Sequence, residues 1–467
     1  MTWPALDAQL LADSAATFNF RLGQPVPLAI TPAGAVIFRR TPARGFASDL
    51  FELDTKTGTV RTLVTAASVM GDGEEKLSDA EKARRERARV ATKGIVDADL
   101  STNGETLMFA LGDRLHRLNL KSGQRDTSDP AGAVYDPHLS PGGDAIGFVR
   151  DGDLWLIDGG GKARALTEHP DGFEYGVADF AAMEELDRRR GFWWSPDGKE
   201  ILFQRSDNRP IDTLYVADAR HPETAPVPFK YPRAGTANAI VDLGVVSTRG
   251  DEPVWLVWDR DKYPYLARVT WTAGDPITIV VLSREQTELA VLAFDKPGAP
   301  ARTLLVEHDD AWVNLTRPTS FAYAASAPLW LPDHSGFLWQ TEHEANVLEL
   351  HAPDGKLVRE LTKPELGLRA LAGVDGADAI VEASTDPTKR DVWRVPLVGG
   401  APTALTHGEG VSYASVDRGV VVISTALHGG GKRAEVITMS ATHMVPDPKL
   451  SLAREQVQID FFREHLR

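Results

Sequence analysis

The sequence predicts an all-β protein built from small repeated sheets. One turn recurs along the 467 residues: Thr31-Pro32-Ala33-Gly34, Ser101-Thr102-Asn103-Gly104, Ser140-Pro141-Gly142-Gly143 and Ser195-Pro196-Asp197-Gly198, with a weaker copy over residues 331–336. Proline fixes φ, and glycine or asparagine accepts a positive φ, so each copy suits a reversal of the chain. A short run rich in β-branched and aromatic residues follows each copy, and a second run follows most of them.

The spacing of the turns predicts how the sheets are organised. The copies that begin at residues 101, 140 and 195 recur at roughly 40 to 60 residues, which suits four short antiparallel strands in each repeat. Such a unit cannot bury its apolar faces alone, so the repeats must stack, and the sequence predicts a β-propeller. An irregular set of β-sandwich domains is the alternative. The recurrence of one turn with the same flanking strands favours the propeller.

Two segments interrupt the β pattern. In residues 74–91, Ser78 and Glu81 have the spacing of a capping box, and the strong helix formers after them include Arg84 and Arg85. Residues 449–467 mix apolar and charged side chains as a short docked helix does. We therefore predict a propeller over residues 1–438 with a basic helical insertion at about 74–91, followed by a C-terminal segment, 439–467.

Composition excludes several classes of protein. The chain has no cysteine, which excludes disulfide scaffolds, thiolate nucleophiles and cysteine-ligated metals. Its net charge of −15 disfavours binding to nucleic acid or to an anionic membrane. No histidine pair has the spacing of a metal site, and no motif predicts a cofactor. Neither a signal peptide nor a membrane-spanning stretch is visible, which predicts a cytoplasmic chain, or a periplasmic one if an export signal was removed.

The segment 180–194, FAAMEELDRRRGFWW, is the most informative about chemistry. Glu184 and Glu185 are adjacent carboxylates that could together hold an ammonium group, which offers three hydrogen-bond donors. The alternative is a solvated acidic helix end, balanced by the basic residues 188–190.

Several long segments resemble one known family. They are EELDRRRGFWWSPDGKEILFQRSD, FKYPRAGTANAIVDLGVV, YLARVTW and LLVEHDDAWVNL, together with the helical KLSDAEKARRERARVATKGIV. In this order they resemble the propeller of bacterial dipeptidyl peptidase IV-like serine peptidases, in the prolyl oligopeptidase superfamily. The resemblance extends, with gaps, from about residue 20 to 420.

The resemblance implies an eight-bladed propeller that covers an α/β-hydrolase domain. It also implies that Glu184 and Glu185, on an insertion at about 176–192, bind the free α-amino group of a peptide substrate. We refer to these residues as the Glu-pair insertion. In the family an arginine helps to bind a substrate carbonyl, and Arg84 and Arg85 are the candidates here. A solvated helix face is the alternative for both arginines.

The sequence departs from this family at the nucleophile. A hydrolase domain needs a G-x-S-x-G elbow followed by Asp and His, and these 467 residues contain no G-x-S-x-G. Only 29 residues follow position 438, yet residues 441–467 resemble the last loop and helix of such a domain. His443 matches the catalytic histidine there, without a nucleophile or Asp in this chain; an ordinary loop histidine is the alternative.

Three hypotheses of function follow. The chain is the substrate-recognition propeller of a dipeptidyl peptidase IV-like exopeptidase, and is not catalytic alone. Alternatively, it is a non-enzymatic propeller that binds peptides or a protein partner, or it is a truncated remnant. The expected partners are peptides with a free N-terminus, and either a hydrolase domain on another chain or a second copy of this one.

Overall fold

A computed structural model of the chain describes residues 8–71, 73, 75, 77, 81–82, 85–86, 90–159, 161–315, 328–408, 410–427 and 432–438. The chain divides into two compact units, Met1–Asp129 with Ala372–Arg467, and Pro130–Leu371. We call them the first and the second unit. The described helices are short and lie at Ala8–Ala16, Ala66–Met70 and Phe180–Glu184, with a 3₁₀ turn at Pro364–Leu366.

Among its described residues, the first unit holds four largely antiparallel sheets whose strands pair mostly in sequence order. Sheet 1 comprises Val26–Ile30, Val36–Arg40, Ala47–Leu53 and Val60–Val64, with Lys93–Gly94 parallel to the third strand; sheet 2 comprises Asp99–Leu100, Thr106–Leu111, Arg114–Asn119 and Arg125–Ser128. Sheet 7 comprises Leu368–Asp375, Asp378–Ala383, Asp391–Pro396 and Thr403–Ala404; sheet 8 comprises Gly410–Asp417, Val420–Leu427 and Lys432–Thr438. The boundary between the units lies within the first strand of sheet 7.

The described part of the second unit holds four more sheets and a separate hairpin. Sheet 3 comprises Tyr135–Leu139, Ile146–Arg150, Asp153–Ile157 and Ala163–Ala165; sheet 4 comprises Phe173–Tyr175, Phe192–Trp194, Glu200–Asp207, Ile240–Ser247 and Val254–Leu256. Sheet 5 comprises Tyr265–Thr270, Ile277–Leu282, Glu288–Phe294 and Arg302–His308; sheet 6 comprises Leu329–Trp330, Phe337–Glu342, Asn346–His351 and Leu357–Glu360. The hairpin pairs Thr213–Val216 with Val227–Lys230.

The predicted turns are present, and the structure explains their first residue. In each full copy the backbone N–H of the last residue donates to the carbonyl of the first over 2.8–2.9 Å. The hydroxyl of that first residue accepts a hydrogen bond of 2.9–3.0 Å from the start of the next strand; these residues are Thr31, Ser101, Ser140 and Ser195. All four residues are buried, and each hydroxyl satisfies a backbone donor at the start of the next strand.

Each unit buries its own apolar clusters. In the first unit, Ile30 and Val36 from sheet 1 pack against Val420 and Val422 from sheet 8, so strands from both ends of the sequence share one cluster. In the second unit, Phe203 belongs to a cluster formed mainly by sheets 3 and 4. Full burial of such a side chain stabilises the folded state by about 1.5–3 kcal/mol.

The two predicted helical segments are only partly within the described residues. In 74–91, residues 81, 82, 85 and 86 are helical, and Ser78 and Arg84 lie outside the described residues. The C-terminal helix predicted at 449–467 lies wholly outside them.

A titratable cluster in sheet 6 links the strand Asn346–His351 to the loops on either side of it. The carboxylate of Glu349 meets His351 Nε2 at 2.8 Å and His343 Nε2 at 3.1 Å, and His351 Nδ1 lies 2.9 Å from the Gly355 carbonyl oxygen. Burial of the His351 ring opposes protonation most strongly, but the hydrogen bonds to Glu349 and Gly355 outweigh it and raise the pKa of His351. Burial alone would raise the pKa of Glu349, and the two histidines instead lower it.

This cluster predicts a stability that depends on pH. Since the pKa of His351 is higher in the folded state, its contribution is complete below the unfolded value near 6.5 and is lost as pH rises through the folded value. Glu349 contributes above its unfolded value near 4.5, and that contribution is lost as pH falls. We expect His351→Gln to lower the melting temperature most between about pH 5 and 6.5, and less by pH 9. Thermal melts across this range, with exposed His221→Gln as the control, measure the difference; a loss independent of pH contradicts this account.

Candidate functional site

The Glu-pair insertion leaves sheet 4 and returns to it at neighbouring points of the strand Glu200–Asp207. The backbone N–H of Gly176 donates to the Gln204 carbonyl over 2.8 Å, and the N–H of Gln204 donates to the Gly191 carbonyl over 2.8 Å. The strands on either side of the insertion both pair with Glu200–Asp207, at its opposite ends. One residue of the central strand therefore holds both ends of the insertion in place.

A short helix in this insertion carries the two carboxylates. It extends over Phe180–Glu184, with Asp179 as its N-cap and Glu185 as its C-cap. The Asp179 carboxylate accepts a hydrogen bond of 3.2 Å from the backbone N–H of Ala182. Glu184 and Glu185 are exposed. We call Phe180–Glu184 the Glu-pair helix.

The position of the carboxylates favours a bound cation. They stand at the C-terminal end of the helix, where the unpaired carbonyl groups carry partial negative charge. A cation near this end of the helix would offset that charge, and an ammonium group can donate to two carboxylates at once.

The arginines that follow do not form the solvated charge balance given above as the alternative. The Arg188 side chain is 5% exposed and donates to the side chains of Gln204 and Asp179 at 2.6 and 3.4 Å. Arg190 donates from Nε to a ring nitrogen of His138 over 3.0 Å. For these two arginines the solvated-face interpretation is wrong.

Of the other predicted site residues, the structure describes only Arg85. Arg85 lies in the first unit, with a side chain 9% exposed, and pairs with Glu75 at 2.7 Å and with Glu81 at 2.8 Å. A second oxygen of Glu75 accepts from the Gly94 backbone N–H over 3.0 Å, so Arg85 helps to join the helical segment to sheet 1. A contact between Arg85 and substrate stays a prediction. Arg84 and His443 lie outside the described residues.

Sequence reasoning missed the buried polar residues that support the Glu-pair helix. Gln204 is fully buried, and Arg268 is 4% exposed, within strands that are otherwise largely apolar. The Arg268 guanidinium donates to the carbonyl oxygen of Leu186, just beyond the helix. The sequence feature that could have identified them is a polar residue within an otherwise apolar strand: Gln204 in ILFQRSD and Arg268 in YLARVT.

A cavity of about 470 Å³ lies elsewhere in the second unit, lined by residues that include Asn238, Arg260 and Arg284. Both arginines already have partners inside the protein. Arg260 pairs with Asp242, and Arg284 donates to the Tyr265 hydroxyl over 2.7 Å. Within the described part of the chain, no group of three or more His, Asp or Glu side chains is arranged to hold a metal ion. No described helix is both long enough and apolar enough to cross a membrane.

One known protein family matches most of the chain. The family described as the dipeptidyl peptidase IV N-terminal region matches residues 117–420. The chain belongs to this family. The match includes the Glu-pair insertion and sheets 3 to 7, and confirms the dipeptidyl peptidase IV-like resemblance.

Individual relatives agree with this membership. The probable dipeptidyl-aminopeptidase B of Aspergillus clavatus is 29% identical over 326 residues, which cover 62% of this chain and 35% of that protein. Dipeptidyl peptidase 8 of Homo sapiens is 26% identical over 327 residues, which cover 59% of this chain and 36% of that protein. The chain thus spans about a third of the length of these curated relatives. Bacterial origin stays a prediction.

A solved structure shows the same fold. Porphyromonas gingivalis dipeptidyl peptidase 4 superposes with a TM-score of 0.71 at 17% identity, covering 94% of this chain and 61% of that one. The predicted all-β propeller is confirmed. Eight blades stay a prediction.

Proposed function

We propose that this chain is the substrate-recognition region of a dipeptidyl peptidase, and that Glu184 and Glu185 bind the free α-amino group of a peptide. The observation that carries the proposal is an exposed pair of carboxylates at the end of a helix, on an insertion whose two ends are held to sheet 4. Membership in the dipeptidyl peptidase IV N-terminal family supports it. The α-ammonium group supplies both the positive charge and the three donors that the pair can accept.

Recognition of the amino group would determine which peptides are accepted. If the α-ammonium group is bound at a fixed point, the distance from the N-terminus to the catalytic groups is fixed as well. Only the peptide bond that lies at this distance from the N-terminus can then be cleaved. A blocked N-terminus lacks the charge, and its acyl group would meet two carboxylates.

We propose further that this chain alone does not hydrolyse peptides. Acyl transfer of this type needs a nucleophilic serine on a strained elbow, and the 467 residues contain no G-x-S-x-G. Hydrolysis would then require a hydrolase domain that these 467 residues do not supply. A propeller that only binds peptides or a protein partner is the second candidate.

Replacing both carboxylates by Glu184→Gln with Glu185→Gln will weaken binding of a peptide with a free N-terminus by at least about tenfold. Charge-assisted hydrogen bonds contribute about 1.5–3 kcal/mol each, and the amides keep the shape of the site but not its charge. Fluorescence anisotropy with one labelled pentapeptide and its N-acetylated form measures both affinities at pH 6.5. We expect the unmodified protein to prefer the free form, with the preference falling above about pH 8 as the α-amino group loses its proton.

The matched control is a second pair of adjacent exposed carboxylates in the same unit. Asp309→Asn with Asp310→Asn removes the same charge and should leave the preference unchanged. Equal binding of both peptides by the unmodified protein contradicts the role of the Glu pair. Release of p-nitroaniline from a dipeptidyl p-nitroanilide by the purified chain, blocked by a serine-reactive phosphonate, contradicts the non-catalytic proposal.

A further inference from the structure

We propose that Arg188 is a positioning residue that sets the place and direction of Glu184 and Glu185 relative to a bound peptide N-terminus. The inference rests on the proposed function of that pair. Arg188 is buried and does not itself contact the peptide, so it would affect the selectivity for a free N-terminus only through the position of the two carboxylates.

Arg188 joins three separate parts of the second unit. Its Nη1 donates to the Arg190 carbonyl oxygen over 2.8 Å, within the returning part of the insertion. Its Nε donates to the Leu266 carbonyl oxygen over 3.2 Å, on the first strand of sheet 5. Its Nη2 lies 2.6 Å from the side-chain oxygen of Gln204 in sheet 4 and 3.4 Å from the Asp179 carboxylate. One planar guanidinium therefore joins two sheets, the N-cap of the Glu-pair helix and the returning part of the insertion.

Asp179 connects this arrangement directly to the helix. One of its oxygens caps the helix at Ala182, and the other accepts from Arg188 and from Gln204 Nε2, the latter at 3.1 Å. Asp179, at the start of the helix, and Arg188, four residues beyond its end, thus form one ion pair. Any shift of Arg188 moves the cap, and with it the helix.

A second buried arginine, Arg268, holds the chain just beyond the C-terminal end of the Glu-pair helix. Arg268 donates from Nη1 to the Leu186 carbonyl oxygen and, over 2.8 Å, to the Ala267 carbonyl oxygen. The Leu186 side chain is 6% exposed and packs in the cluster of sheets 5 and 6. The peptide unit between Leu186 and Asp187, one residue beyond Glu185, is therefore attached to sheet 5.

The helix needs such supports because it is short. Its five residues are far fewer than an isolated helix needs to be stable in water. Without the buried arginines, the two carboxylates would sample many relative orientations. Each orientation that cannot reach the ammonium lowers the apparent affinity in proportion to its population.

The test replaces Arg188 by lysine in the full 467-residue chain. Lysine keeps the charge opposite Asp179 but cannot present the planar set of donors that reaches Gln204, Arg190 and Leu266 together. We expect the ratio of affinities for free and N-acetylated pentapeptide to fall about tenfold, since the ammonium keeps fewer of its hydrogen bonds. Partial loss of folded protein would lower both affinities together and leave this ratio unchanged.

Hydrogen exchange provides a measurement that needs no ligand. The backbone N–H groups of Glu185 and Leu186 donate to the Ala181 carbonyl, and that of Arg188 donates to the Ala182 carbonyl. All three should exchange faster in Arg188→Lys at a temperature where the variant is fully folded. If Arg188→Lys does not fold, Gln204→Met removes one acceptor of Arg188 with little change in volume, and the same two measurements apply.

The matched control is Arg394→Lys in the first unit. Arg394 is partly buried, at 16% side-chain exposure, and pairs with Asp375 at 3.0 Å and Asp378 at 2.9 Å. The Arg394→Lys protein should be less stable, but its ratio of affinities for the free and N-acetylated peptides and the hydrogen exchange of residues 185–188 should not change. Unchanged exchange and an unchanged ratio in Arg188→Lys overturn the positioning role. A wild-type protein that does not distinguish the two peptides overturns the proposed function instead, and faster exchange then still supports the positioning of the helix.

Discussion

Replacing Asp179 with alanine will lower the free energy of unfolding by about 3–5 kcal/mol, because it leaves the buried Arg188 charge without its carboxylate. Burial already lowers the pKa of Arg188 to about 10, with Asp179 opposing that shift, so the guanidinium is still charged at neutral pH. Alanine also removes the N-cap of the Glu-pair helix. Urea unfolding at pH 7 measures the loss.

Two further variants separate the causes of this effect. Asp179→Asn keeps an oxygen that can cap the helix but removes the charge, so its loss should be intermediate. Asp212→Ala removes the partner of Arg233 in a pair where both side chains are at least 40% exposed, and solvent screening should make that change small. Similar losses in Asp179→Ala and Asp212→Ala would show that Asp179 is not balancing a buried charge.

Replacing Gly191 with alanine will destabilise the protein by about 3 kcal/mol, at the upper end of the usual cost of overpacking. A Cβ at position 191 would lie 2.2 Å from the Gly176 carbonyl oxygen and 2.6 Å from the carbonyl carbon of Val177. Both obstacles are backbone atoms, so no side-chain rotation relieves the contact. The two ends of the Glu-pair insertion would have to separate, and peptide binding should weaken as well.

Thermal or urea unfolding of Gly191→Ala measures this effect, and Gly159→Ala is the control. A Cβ at position 159 would meet no atom within 4 Å other than those of its own chain neighbours, so alanine should be tolerated there. A Gly191→Ala protein as stable as Gly159→Ala would mean that the insertion can open without cost.

Much of the fold could be predicted because it depends on local patterns. The turns at residues 31–34, 101–104, 140–143 and 195–198 use proline and glycine for backbone conformation and a hydroxyl for one backbone donor. These are properties of four or five consecutive residues, and strands with buried side chains follow directly. The two adjacent carboxylates, Glu184 and Glu185, can likewise be read directly from the sequence.

The support of the site could not be predicted in this way. The sequence places Arg188 in a basic run that resembles a solvated face, since neighbouring residues 189 and 190 are also arginines. Its partners Gln204 and Leu266 are 16 and 78 residues away. Nothing local distinguishes a buried arginine from an exposed one until those acceptors are brought together.

The sequence by itself determined the repeated all-β organisation, the acidic and cysteine-free composition, and the pair of carboxylates that could accept an ammonium group. Only the tertiary structure decided that Arg188 and Arg268 are buried supports of that pair, and that Arg85 is engaged by Glu75 and Glu81. The physical reason is that turn and strand preferences act between neighbours in the chain. The burial of a charge is stable only where distant residues supply its acceptors.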